Sequence, residues 1–67
     1  MPTAEAALRR ARRHVEEGAR IVDEQSARIA RMAPDGSQIA AARTLLETMK
    51  VTLELFRTDL ARLEAKS

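Results

Sequence analysis

The six residues Arg9-Arg10-Ala11-Arg12-Arg13-His14 hold four arginines and the only histidine of the chain. Two chemistries belong to such a cluster. Guanidinium groups bind phosphate oxygens in a bidentate fashion, so Arg9, Arg10, Arg12 and Arg13 are a candidate contact for a polyanion, duplex nucleic acid above all. His14 and Glu17, one helical turn apart, are a candidate pair of metal ligands. Each reading has a plainer counterpart. Arg12 and Arg13 stand four residues before Glu16 and Glu17, Arg20 four before Glu24, and Arg9 four after Glu5. Opposite charges at that spacing contribute about 0.2–0.5 kcal/mol each and describe a solvated helix face. Single-stranded nucleic acid is usually held on stacking aromatics, which this region lacks. His14 precedes Glu17, the reverse of the Glu-x-x-His order of di-iron bundles, and no other carboxylate falls on an inward position, so neither a metal nor a cofactor is expected. A place near Asp59 on the facing helix is the expectation for His14. With no nucleophile beside a base and no Gly-rich phosphate loop, the chain does not read as an enzyme.

Whatever these residues do, long helices must position them. Charged residues make up 33% of the chain, Phe56 is its one Phe, Trp or Tyr, and Ala, Leu, Ile, Val and Met supply most of the apolar fraction. That is a helical composition. Only Ala33-Pro34-Asp35-Gly36-Ser37 interrupts it: Pro34 disfavours helix at the residue before it, and Gly36 permits a positive φ. The expected organisation is one all-α domain over residues 1–67, with a helix over about 3–32, a turn over 33–37 and a helix over about 38–65. Thr3 is the expected N-cap of the first helix, without a capping box, and Asp35 or Ser37 that of the second.

Periodicity predicts how the helices pack. Leu8, Val15, Val22 and Ile29 recur every seven residues, each followed three positions later by Ala11, Gly18, Gln25 and Met32. In the second helix Ile39, Leu46, Leu53 and Leu60 repeat the pattern, followed by Ala42, Met49, Phe56 and Leu63. These are the a and d positions of an antiparallel coiled-coil hairpin. Folded about Asp35 and Gly36, residues whose numbers sum to 71 face one another, and every a meets a d. Gly18 then lies against Leu53 and beside Phe56, where a small residue admits large ones. Gln25, the polar residue of the seam, faces Leu46; it either fixes register through a buried partner or sits at a rim reached by water.

The two flanks of this seam differ. The e side carries Arg12, Arg43, Lys50 and Arg57, whereas the g and c side of the second helix carries Leu45, Thr48, Thr52 and Leu55, with Val51 adjacent and Ile21 supplied by the first helix. A lone hairpin would leave the second stripe in water. Ile21, Leu45, Thr48, Val51, Thr52 and Leu55 are therefore the expected self-association surface, pairing hairpins into a four-helix bundle about a two-fold axis. Size argues the same way, because a 67-residue chain without cysteine has neither a large core nor a disulfide, and association is the usual remaining staple.

The stretches "RRHVEEGARIVDEQSARIARM" and "AARTLLETMKVTLELFRTDLARL" resemble a group of short bacterial helical-hairpin proteins of unknown function, of alphaproteobacterial type. His14, Gly18, Gln25 and the pair Leu45 and Leu46 fall at matching places over about residues 9–63, while Phe56 stands where such proteins often carry His. The resemblance implies a helical hairpin and supplies no activity.

A net charge of +2 predicts no strong field for polyanions. The first residues lack the apolar core of a signal peptide and no run approaches a membrane span, so a soluble, cytoplasmic protein is expected. The function expected is that of a small self-associating interaction module, a homodimer or tetramer acting as an adaptor or regulator for another protein. The alternative is a dimeric nucleic-acid-binding regulator using Arg9, Arg10, Arg12 and Arg13.

Overall fold

A computed structural model describes residues 3–66, and residues 1, 2 and 67 lie outside the described part. Two helices, α1 (Ala4–Ala30) and α2 (Ile39–Lys66), run antiparallel in a rod whose principal extents are 49 × 18 × 14 Å. At about 1.5 Å per residue each helix is on the order of 40 Å long, so helix length alone accounts for most of the long axis.

Thr3 caps α1 as its sequence position predicts. Its backbone is extended (φ −74°, ψ 165°) and its Oγ1 accepts from the Ala6 amide at 3.0 Å. Glu5 in the first turn and Arg28 in the last oppose the partial charges of the helix ends. The helix stops at Ala30, two residues before the expected end at Met32. There the amides of Arg31 and Met32 donate to the carbonyls of Arg28 and Ile29 at 3.1 and 3.0 Å, the tight i→i−3 pattern of a last turn. Pro34 is the physical cause, since its ring disfavours helical backbone at Ala33.

The connection is a β-turn, with the Gly36 amide donating to the Ala33 carbonyl at 3.0 Å. No described residue has positive φ, so the freedom that Gly36 offers is not used, and a type II turn is excluded. Gly36 serves instead by lacking a side chain, because a Cβ there would stand 3.2 Å from the Ala33 oxygen. The expected caps of α2 are corrected: among the described residues neither Asp35 nor Ser37 accepts a helix amide, and α2 begins with Ile39 donating to the Gly36 carbonyl at 3.3 Å and Ala42 to that of Gln38 at 3.0 Å. Both are backbone bonds, the second the first i→i−4 bond of the helix.

All sixteen predicted a and d residues are buried or half-buried, Met32 among them although it lies outside the helix. The register is that of the folded heptads. A Cβ on Gly18 would meet Leu53 Cδ1 at 3.1 Å and Phe56 Cδ2 at 3.5 Å, so this layer closes on a residue without a side chain. Gln25 is buried, 6% exposed, and its Nε2 donates to the Ala42 carbonyl at 3.2 Å. Of the two readings left open, the buried partner is the one observed; water at a rim is not needed. Yet the core is thin. Among the described residues no large side chain falls below 2% exposure.

Candidate self-association surface

On α2 the residues Ala41, Leu45, Thr48, Thr52 and Leu55 recur at alternating intervals of four and three, the spacing of a second coiled-coil seam on the c and g positions. All five are exposed, as is Val51 beside them. The large apolar members stand well into solvent: Leu45 is 47%, Val51 61% and Leu55 65% exposed, with Ile21 of α1 at 39%. These are the four large apolar side chains that the intrachain seam leaves out, and all were expected to be left out.

The threonines make this stripe more apolar than their composition suggests. Thr44, Thr48 and Thr52 each donate their hydroxyl to the carbonyl four residues back, at 3.0, 3.2 and 3.1 Å. A hydroxyl bonded into its own helix needs no solvent partner, so these positions present small, internally satisfied surfaces to a neighbour. Sequence reading missed the ladder, although the four-residue spacing of the three threonines was its signal.

Next to the stripe, Gly18 leaves room for an open, largely apolar groove of about 330 Å³ between the helices, lined by His14, Ile21, Thr48, Thr52 and Phe56 among others. His14 forms one wall by packing on the Phe56 ring, with centroids 5.0 Å apart and planes tilted by 35°. The histidine thus meets the seam layer of Phe56, one helical turn from Asp59 on α2. Among the described residues no group of three or more His, Cys, Asp or Glu side chains is placed to hold a metal ion.

The opposite flank closes on itself. Arg12 reaches Glu64 across the hairpin at 3.9 Å, Lys50 pairs with Glu47 at 3.6 Å and Arg57 with Glu54 at 2.7 Å. All of these side chains are at least half exposed, so each pair contributes little, about 0–1 kcal/mol. Of the four i, i+4 pairs expected on α1 only Arg20 with Glu24 forms, at 2.8 Å. Arg9, Arg10 and Arg13 are exposed and have no ion-pair partner among the described residues, while Arg12 is turned to Glu64. The Arg-rich run is thus a solvated face at the open end of the hairpin.

A compact monomer of 7.4 kDa would expose about 4,200 Å², whereas this chain, a rod of 49 × 18 × 14 Å, exposes 5203 Å². No protein-family model, curated protein or solved structure matches the chain. No described helix is long and apolar enough to cross a membrane.

Proposed function

We propose that the protein is a small self-associating helical interaction module, a cytoplasmic homodimer in which two hairpins complete a four-helix bundle through Ile21, Leu45, Thr48, Val51, Thr52 and Leu55. The observation that carries this reading is the exposed second seam on α2, apolar or internally satisfied from Ala41 to Leu55. Burying a large aliphatic side chain contributes about 1.5–3 kcal/mol. The four large aliphatic residues are about half exposed in the single chain, so each contributes about half of that; present twice about a two-fold axis, they offset an association cost in the lower part of the roughly 4–15 kcal/mol range. The bundle in turn presents charged outer faces, the surfaces by which an adaptor or regulator meets another protein. Sedimentation equilibrium tests the reading. Wild type is expected to run at twice the 7.4 kDa chain mass or higher at micromolar concentration, and a wild type at the chain mass would remove it.

A second reading, contact with a polyanion through the open end of the hairpin, draws support from Arg9, Arg10 and Arg13, which are exposed and have no ion-pair partner among the described residues. It predicts a salt-sensitive mobility shift with duplex DNA that is lost when Arg9, Arg10, Arg12 and Arg13 are replaced by glutamine. The self-association reading predicts no shift at physiological salt.

A further inference from the structure

The stripe on α2 runs past its apolar part into charge: after Leu55 its next two seam positions are Asp59 and Arg62, and before Ala41 stands Gln38. All are exposed, and neither Asp59 nor Arg62 has an ion-pair partner among the described residues. This ordering restricts how a second copy can sit. Resting on the self-association reading above, we propose that the occupant of the stripe is α2 of a second copy, laid antiparallel with the two-fold axis at the level of Lys50, so that Leu45 packs on Leu55 of the second copy and Thr48 on its Thr52.

Three arguments select this arrangement. The first is the pattern itself, since Leu45, Thr48, Thr52 and Leu55 read the same from either end about position 50, and an isologous antiparallel contact requires that self-complementarity. It pairs large with large at both ends and leaves the two small, internally bonded threonines of each chain at the axis, where the helices approach closest. The second is charge. In the antiparallel register Asp59 and Arg62 fall opposite Ala41 and Gln38 of the second copy, at the exposed ends of the contact. In a parallel pair Asp59 would face Asp59 and Arg62 would face Arg62, like charges in one seam, and the helix dipoles would add instead of opposing. The third is register. Sliding the second copy by one heptad in one direction sets Leu45 against Arg62, and in the other sets Leu55 against Gln38. Only the central register keeps every leucine on a leucine. Ile21, level with Lys50 in the intrachain register, then lies at the axis beside Thr48 and Thr52, between the two leucine layers.

The chain has no cysteine, so disulfides introduced singly report this geometry. Leu45→Cys and Leu55→Cys are prepared as separate proteins, mixed, allowed to exchange and oxidised. The two positions 45 of an antiparallel pair are about 15 Å apart along the axis, beyond the roughly 7 Å that a disulfide spans between Cα atoms. The proposal predicts a cross-linked band at twice the chain mass from the mixture and its loss when either protein is oxidised alone. Cross-linking of each protein with itself would overturn it in favour of a parallel pair. Absence of cross-linking from the mixture, while both variants still sediment as dimers, would overturn the register. A wild type that sediments at the mass of one chain is a different failure, that of the self-association reading itself.

Discussion

The two flanks of the hairpin seam satisfy their polar groups by different means. On the e flank the side chains of Arg12, Lys50 and Arg57 reach acidic neighbours across exposed surface. On the g flank the hydroxyls of Thr48 and Thr52 turn back to their own helix, as does that of Thr44 beside it. The first arrangement needs water around it, because taking such pairs into an interface would strip solvent from both charges. The second needs nothing from water and leaves Leu45, Val51 and Leu55 as the features that a neighbour meets. One flank is therefore suited to stay wet, and the other exposes the apolar surface that the proposed second copy would cover. A sequence can place hydrophobic residues on the outside of a helix for no reason, but here Leu45 and Leu55 share with Ala41, Thr48 and Thr52 a heptad register that the intrachain seam does not use.

The largest expected effect comes from making the second flank resemble the first. Leu45→Glu with Leu55→Glu leaves the a and d layers intact while placing like charges in both leucine layers of the interface, so the assembly should dissociate to single chains at micromolar concentration, as read by sedimentation velocity. A variant that stays assembled would move the interface elsewhere. Next in size is Gly18→Leu. It fills the layer where Leu53 already stands 3.1 Å from a hypothetical Cβ, and overpacking should cost about 1–3 kcal/mol in urea denaturation. Gly18→Ala sharpens the point: the gain of up to about 1 kcal/mol in helix propensity should be offset by the same contact, leaving stability nearly unchanged.

Gln25→Leu should act in the other direction. The Ala42 carbonyl that Gln25 contacts lies within α2 and also serves the helix ladder, so losing the glutamine orphans no essential acceptor, and an apolar residue in its place should stabilise the hairpin by about 1 kcal/mol. A loss of stability comparable to a cavity mutation would show that the glutamine holds the register. Smallest of all, Arg43→Gln with Lys50→Gln on the e flank should shift the denaturation midpoint by less than about 0.5 kcal/mol equivalent and leave the assembly intact. An effect as large as that of the leucine pair would erase the distinction between the flanks.

The seam was legible before any coordinates because burial at a and d is enforced twice, once by each helix, and the same register recurs through eight heptads. The turn was legible from Pro34, whose steric effect is local. What escaped was decided by weak or degenerate terms. The cap of α2 did not come from Asp35 or Ser37, because side-chain caps are only one of several ways to end a helix. The pairs of Arg9 with Glu5, Arg12 with Glu16 and Arg13 with Glu17 did not form, because a few tenths of a kcal/mol is too little to hold two long exposed side chains in one geometry. The ring contact of His14 with Phe56 was not read from the sequence, because a g position borders both the seam and the outer edge of α2. The surface stripe was readable as a set of residues, but not the threonine ladder that makes its centre free of unmet hydrogen bonds.

The central claim is that the hairpin is completed by a second copy of itself, and thermal unfolding followed over about a hundredfold range of protein concentration tests it most directly. Unfolding coupled to dissociation makes the midpoint depend on concentration. The account predicts a midpoint that climbs steadily with concentration in wild type and one that is lower and concentration-independent in Leu45→Glu with Leu55→Glu. A wild-type midpoint that does not move with concentration, and coincides with that of the variant, would contradict it.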